Sequence, residues 1–337
     1  MMKYFHIALN ILLCAAAATA CSGKPAAAVN TTEKKPVPAV PSFNADSAYN
    51  QVARQVAFGP RVPGTEAHSR CADYLETELR RHGADTVVTQ RGTARAFDGT
   101  RLPIRNITAR FGTDKSRRIL IAAHYDTRPW ADNEADPALR NTPISGANDG
   151  GSGAAVILEL ARLFSQQRPE VGVDLLLVDA EDYGYSPEIS SLPVTDSDRT
   201  WCLGTQYWAA HNPYTAATRP DYAIVLDMVG GQGARFYREY HSDAIARSVV
   251  DKVWAIAATT PATDRFVNSR GGAIIDDHIY IHSAGIPAID IIEHRTDTGF
   301  PDTWHTHADD LAHIDAGTLG AVGQVMAEVI YREPSSR

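Results

Sequence analysis

The sequence has few cysteines and no excess of positive charge. It contains four cysteines in 337 residues and no C-x-x-C pair, so a cysteine-based zinc site is not indicated. Cys71 and Cys202 lie beyond the N-terminal segment, where they either form a disulfide or remain two buried free thiols. Lysine and arginine number 32 against 40 aspartates and glutamates, and no basic run is long enough to follow a phosphate backbone. We therefore expect no nucleic-acid partner.

The apolar run at the N-terminus, IALNILLCAAAATA, is too short to span a bilayer comfortably. It follows Lys3 and ends in the small-residue sequence ATAC, which is typical of a cleaved export signal over residues 1–20. Cys21 would be the first mature residue and resembles the acylated cysteine of bacterial lipoproteins, with simple signal cleavage as the alternative. We expect an exported, periplasmic protein that Cys21 anchors to the membrane through lipid.

The remainder of the chain divides into a linker and one folded domain. Residues 21–42 are rich in alanine, proline, lysine and threonine without hydrophobic periodicity, as in a flexible tether. Over residues 43–333, apolar runs such as RRILIAAH and VDLLLVDA alternate with helical stretches. Continuous apolar runs indicate strands that are covered on both faces. The pattern predicts a single α/β domain with a central, mostly parallel twisted sheet flanked by helices.

Acidic and imidazole side chains follow the predicted strands. Ligands of open α/β sheets bind beyond the carboxyl ends of the strands, where these residues lie. Carboxylates that cluster there are costly to bury unless a cation compensates them, and carboxylate with imidazole is a donor set typical of Zn²⁺. One of two adjacent acids can then bind the metal while its neighbour acts as a base. The residues are His124, Asp126, Asp149, Glu181, Asp182, Asp227 and His305.

Each of these residues also has a simpler explanation when taken alone. Asp149 could cap a helix, and His305 could be a solvated loop histidine. Their coincidence at successive strand ends favours a metal site over both. Other motifs are incomplete, because GSGAAV has Val156 where a dinucleotide-binding motif needs glycine, and Ser152 lacks the final glycine of a serine-hydrolase elbow.

Several stretches together resemble the zinc aminopeptidase superfamily of the M28 type, in order over roughly residues 45–333. They are AAHYDTRPWAD, GANDGGSGAAVILELAR, LLLVDAED, AIVLDMVG and FPDTWHTHADD. In two-metal members of that superfamily, the matching positions bind two zinc ions and supply a base. The resemblance implies His124 and Asp227 on one zinc, Asp182 and His305 on the other, Asp149 as the bridge, and Glu181 as the base.

Two features resemble one branch of that superfamily, the animal-type glutaminyl-peptide cyclotransferases. Asp276 stands before an Asp-His pair, and Trp304 stands directly before His305. This branch implies one Zn²⁺ per chain, with His124 left as a second-metal or structural residue, and the ligands would be Asp149, Asp182 and His305. Animal members usually have glutamate at the position of Asp182, and the spacing before Trp201 also differs from theirs.

The implied reaction is the cyclisation of an N-terminal glutamine of a peptide or protein to pyroglutamate, with loss of ammonia. Zinc would polarise the γ-carbonyl, and Glu181 would carry a proton from the α-amine to the leaving nitrogen. Asp276 and Asp227 would assist as catalytic acids that bind Glu181 or the substrate nitrogens. The residues expected to bind the glutamine side chain are Trp201, Ile275, Phe300 and Trp304. The alternatives are a di-zinc aminopeptidase and a binding module without chemistry.

Overall fold

The computed structural model describes residues 39–335. The predicted export signal, Cys21 and most of the predicted linker lie outside this range, so these assignments stay predictions. Within the described range, none of the helices has the length and apolar character needed to cross a membrane.

Eight strands are present in the described chain: β1 (Thr86–Arg95), β2 (Arg101–Phe111), β3 (Arg118–His124), β4 (Gly172–Val178), β5 (Ala223–Asp227), β6 (Phe236–Arg238), β7 (Phe266–Arg270) and β8 (Ala288–Ile292). Six of them form the central sheet in the order β1-β2-β4-β3-β5-β8, and β6 pairs with β7 separately. Strands β4, β3, β5 and β8 run parallel, whereas β2 is antiparallel to both of its neighbours. The predicted α/β fold with a mostly parallel sheet is confirmed.

Helices cover both faces of this sheet. They are α1 (Ala45–Val56), α2 (Glu66–Arg81), α3 (Gly151–Gln166), α4 (Leu203–Ala210), α5 (Tyr240–Ile245), α6 (Arg247–Ala257), α7 (Asp277–Ser283) and α8 (Ala316–Tyr331). The first two begin where the side chains of Asn44 and Thr65 accept hydrogen bonds from backbone N–H groups of the first turn. Short 3₁₀ helices occupy Asp198–Thr200 and Leu311–His313.

Strand β3 shows why the central strands are continuously apolar. Ile119, Ile121 and Ala123 face the larger core, which contains residues of α1, α2, α3, α6 and α8. Leu120 and Ala122 face a smaller core on the opposite side, with residues of α4 and α7. Because both faces are buried, the middle of this strand, from Ile119 to Ala123, is apolar. Its polar side chains are Arg118 at the start, which bonds to Asp174, and His124 at the carboxyl end.

The two predicted alternatives for the cysteines are resolved. Cys71 in α2 and Cys202, just before α4, are both buried and unpaired. The free-thiol alternative is therefore the one that the fold adopts.

Helix α3 begins very close to the sheet. A Cβ atom on Gly153 would lie 2.1 Å from the carbonyl oxygen of Leu226 and 2.9 Å from the Cβ of Ala123. Gly150, which precedes the helix, has a φ of 80°, in the left-handed region that favours glycine. These two glycines allow the loop that carries Asp149 to pass directly over the ends of β3 and β5.

Candidate active site

The predicted functional residues converge at the carboxyl edge of the sheet. His124 ends β3 and Asp227 ends β5, while the other residues lie in the loops beyond the strands. These loop residues are Asp149 before α3, the Glu181-Asp182 pair after β4, Asp276 at the start of α7, and His305 between β8 and α8. Asp149 does not cap α3. The N-cap residue is Gly150, and no side chain accepts a hydrogen bond at this helix start. The carboxylate of Asp149 is thus available to the site.

Asp149, Asp182 and His305 form a cluster suited to a metal ion. The Nε2 atom of His305 lies 3.3 Å from Asp182 Oδ1 and 3.7 Å from Asp149 Oδ2. One ligand atom from each residue lies within 4.8 Å of the others, and all three side chains are buried. The second carboxylate oxygen of Asp182 is buried without a hydrogen-bond partner in the described chain, an arrangement that is costly unless a cation is bound nearby.

His124 forms a second cluster with Asp149 and Asp227. Its Nε2 atom lies 3.1 Å from a carboxylate oxygen of each acid, and its Nδ1 atom lies 3.4 Å from Asp126. Asp149 therefore belongs to both clusters. Its position is one from which it could bridge two ions, and the bridging and second-metal roles that the family resemblance implies stay predictions.

Arg128 and Asp132 hold His305 in place. The Nδ1 atom of His305 lies 3.2 Å from Asp132 Oδ1. Arg128 is fully buried, binds both oxygens of Asp132 at 2.6 and 2.9 Å, and donates to the backbone carbonyl of Asp182 at 3.0 Å. Burial opposes ionisation of Asp132, but the neighbouring His305 and the bonds to Arg128 hold its pKa below the ordinary value. An ionised Asp132 directs the Nε2 atom of His305 toward the other ligands.

Two further acids fix the ligand-bearing loops through backbone N–H groups. Asp126 accepts from Glu181 N at 3.1 Å and from Asp182 N at 3.2 Å. Asp309 accepts from the N–H groups of Asn148 and Asp149 at 2.7 and 3.0 Å. Asp126, which the sequence placed among the candidate ligands, supports the site through the backbone of its neighbours.

The backbone turns sharply at the site. Four non-glycine residues of the described chain have positive φ angles, at Ala180 (50°), Cys202 (55°), Met228 (48°) and His305 (56°). Each of them is a functional residue or is adjacent to one. Such conformations are uncommon for residues with a Cβ atom and persist where the surrounding contacts enforce them.

A cavity of about 270 Å³ opens onto the ligand cluster. All four residues expected to bind the glutamine side chain line it, namely Trp201, Ile275, Phe300 and Trp304. The ring of Trp304 stacks on His305 with a centroid distance of 3.8 Å, and Phe300 stacks on Trp304 at 4.1 Å. Glu181, Asp227 and Asp276 line the same cavity, so its interior combines apolar walls with carboxylates.

Residues 106–330 match peptidase family M28. The chain belongs to this family. A glutaminyl cyclase of Bacteroides thetaiotaomicron, solved with bound N-acetylhistamine, is 46% identical with a TM-score of 0.84, over 88% of this chain and 100% of that one. A Zn-dependent exopeptidase of Parabacteroides distasonis is 48% identical with a TM-score of 0.83, over 88% and 100% of the two chains. An aminopeptidase of Bacillus subtilis is 25% identical over 63% of this chain, which spans only 40% of that relative.

Membership of the M28 family agrees with the chemistry of the donor set. Two carboxylates and one imidazole are ordinary zinc ligands, and three protein ligands leave a position for a substrate oxygen. The family and its Zn-dependent neighbour therefore identify zinc as the metal that the cluster of Asp149, Asp182 and His305 would hold.

The remaining carboxyl groups in this M28 site are strongly perturbed. Burial raises the pKa of Glu181 well above its ordinary value, while His124 opposes the shift and Asp182 adds to it. Burial also raises the pKa of Asp227 to about 7, against a hydrogen bond with His124. For Asp182, burial and the Asp149 carboxylate raise the pKa to about 6. A divalent cation at the cluster would favour the ionised forms and lower these pKa values.

The sequence did not single out some residues that complete the site. Arg128, Asp132 and Asp309 lie inside stretches that carry the family resemblance, and the four-residue spacing of Arg128 and Asp132 was the available signal. For Cys202, the sequence offers no feature beyond the residue type that would place it near the site. The structure brings Asp149, Asp182, Asp227, His305 and all four predicted wall residues to one cavity, whereas His124 and Asp126 do not line it. The individual roles of these residues stay predictions.

We expect Asp132→Asn to weaken zinc binding by about 10- to 100-fold, the usual cost of losing an acceptor behind a ligating histidine. His305→Ala, which removes a ligand outright, should give protein that purifies with little zinc. Elemental analysis and competition with a chromophoric chelator measure both effects. Asp264→Asn changes an exposed aspartate away from the site and should bind zinc as the parent does. Equal zinc affinity of Asp132→Asn and the parent would show that Asp132 does not support His305.

Proposed function

We propose that the chain is a glutaminyl-peptide cyclotransferase that converts the N-terminal glutamine of peptides and proteins to pyroglutamate, with one zinc ion per chain. The observation that carries this proposal is the cavity itself. It places Glu181 and Asp276 beside the ligand cluster and encloses them with Trp201, Phe300 and Trp304. The similarity to a bacterial glutaminyl cyclase, at 46% identity over that whole chain, supports the same activity.

The reaction needs a polarised carbonyl and one proton transfer. A bond forms from the α-amino nitrogen to the carbonyl carbon of the side-chain carboxamide (Cδ), the bond from that carbon to the amide nitrogen breaks, and ammonia leaves. Bound by Asp149, Asp182 and His305, zinc would supply a Lewis acid for the γ-carboxamide oxygen. The net proton movement is from the attacking nitrogen to the leaving nitrogen, so one base that accepts and returns a proton is sufficient.

Glu181 is the residue in position to carry that proton. It is adjacent in sequence to the ligand Asp182, lines the cavity, and is 9% exposed, so its carboxylate has little contact with bulk water. Asp227 and Asp276 line the same cavity and can accept hydrogen bonds from the substrate amine or from the departing nitrogen. Within the described chain, no lysine or arginine lines this cavity, which suits a substrate that enters with a free amino terminus.

The apolar walls suit the glutamine side chain. Its methylene groups would pack against Trp201, Ile275 and Phe300 while its carboxamide reaches the ligand cluster. Because both reacting groups belong to one substrate molecule, a rigid small cavity that aligns them can contribute much of the rate.

A di-zinc aminopeptidase is the second candidate. The cluster of His124, Asp149 and Asp227 favours it, because this cluster could hold a second ion beside the first. The similarities to a Zn-dependent exopeptidase and to an aminopeptidase point the same way. The two reactions differ in their nucleophile, which is water in the peptidase and the α-amine of the substrate in the cyclase.

One assay separates the two activities. The zinc-loaded full chain is incubated with a peptide that begins with glutamine and, separately, with a leucine arylamide. We expect ammonia from the first and no free arylamine from the second, with a zinc-stripped sample as the inactive control. Release of arylamine without ammonia would show that the chain is a peptidase and not a cyclase. Release of neither product would favour a binding module.

We expect Glu181→Gln to lower kcat by about 10²-fold or more, because the amide cannot accept and return the proton. Its zinc content should equal that of the parent, since Glu181 lies outside the ligand cluster. Glu170→Gln makes the same chemical change at an exposed position and should leave kcat unaltered. Near-parental turnover of Glu181→Gln would remove Glu181 from the proposed role.

We also propose that the chain is exported to the periplasm and anchored there by lipid on Cys21. The support is confined to the sequence of residues 1–21, with its apolar run and the cysteine after ATAC. We expect mass spectrometry of the mature chain from its native membrane fraction to show an acylated N-terminal Cys21. An unmodified soluble mature chain would show simple signal cleavage instead.

A further inference from the structure

Cys202 contacts Glu181 through both its backbone and its side chain. Its N–H donates to the backbone carbonyl of Glu181 at 2.9 Å. Its thiol lies 3.3 Å from Glu181 Oε1, in the geometry of a donor, and 4.0 Å from Asp276 Oδ1. Glu181, Cys202 and Asp276 thus form a compact group, in which Glu181 and Asp276 line the cavity and Cys202 is fully buried.

This thiol is the single donor to the Glu181 carboxylate among residues 39–335. The other acids of the site are held by arginine, histidine or backbone N–H groups, as Asp132 and Asp309 show. The Cys202 side chain is fully buried, so bulk water does not compete for the contact. Its backbone lies in the left-handed region, with a φ of 55°, an uncommon conformation for a residue with a Cβ atom.

We propose that Cys202 is a positioning residue for Glu181, holding the carboxylate in the orientation from which it exchanges protons with the substrate nitrogens. The inference rests on the proposed cyclase function. Cys202 would touch neither the substrate nor the zinc cluster and would act only through Glu181.

A thiol is well suited to this buried position. The thiol is a weak donor, and its low polarity allows full burial at small cost. It can fix the orientation of Glu181 without adding a charged group beside it.

The test compares Cys202→Ala with Cys202→Ser. We expect Cys202→Ala to lower kcat by roughly tenfold, the scale of one hydrogen bond to a charged group, with KM and zinc content unchanged. Cys202→Ser retains a donor and should recover part of the loss. Cys71→Ala removes a buried thiol from α2, away from the cavity, and should keep the parental kcat. Thermal unfolding of all three variants separates catalytic effects from effects on folding.

A double variant decides whether Cys202 acts through Glu181. If it does, adding Cys202→Ala to Glu181→Gln should cause no further loss of kcat, because there is no base left to orient. A full tenfold loss in that background, or a parental kcat in Cys202→Ala alone, would overturn the proposal. If the parent releases no ammonia from any glutaminyl peptide, the proposed function fails first, and the outcome is distinct from an active parent that tolerates Cys202→Ala.

Discussion

The site depends on burying many carboxylates at one edge of a sheet and on compensating several of them with donors. Desolvation disfavours an ionised carboxylate unless a donor or a cation faces it. Backbone N–H groups meet Asp126 and Asp309, and a buried arginine meets Asp132. Asp149 and Asp182 are turned toward His305 instead, and one oxygen of Asp182 has no partner in the described chain. A zinc ion at this cluster would compensate the charge of Asp182.

The same contacts also determine geometry. An acid that accepts two consecutive N–H groups holds the loop that contains them, so Asp126 and Asp309 each fix a loop that carries a ligand. The positive φ of Ala180 places a sharp turn at the first of these loops, and that of His305 places another at the loop that carries the third candidate ligand. Positions of this kind cost free energy, and several nearby hydrogen bonds are needed to maintain them. The same hydrogen bonds therefore compensate buried carboxylates and fix the shape of the backbone in this site.

Much of this arrangement could be predicted from sequence, because parallel strands end at a common edge. An apolar run followed by an acid, as in VDLLLVDAED, predicts both a buried strand and the place where it ends at the carboxyl edge of the sheet. Strand β2 was not predicted, since Pro103, Arg105 and Asn106 interrupt its apolar pattern. Its pairing is antiparallel and lies toward the margin of the sheet, where polar residues are tolerated.

Supporting residues were harder to predict than ligands for a physical reason. A ligand is recognised by its donor type and its place at a strand end, both of which are local. The role of Asp309 depends on backbone groups about 160 residues earlier in the chain. The role of Cys202 likewise depends on a contact 21 residues away. Neither distance has a sequence signature, so only the fold reveals such pairs.

The ligand cluster alone does not decide between a cyclase and a peptidase, because both reactions begin with a polarised carbonyl. The difference lies in what the remaining cavity accommodates. A peptidase must also place a water molecule for attack and leave a channel for the departing chain, whereas a cyclase must fold a single side chain back onto its own amine. The rings of Phe300 and Trp304 stack in sequence onto His305, so the wall beside the ligands is rigid and apolar. Such a wall suits a compact substrate that reacts with itself, which is why the cavity supports the cyclase more strongly than the ligands do.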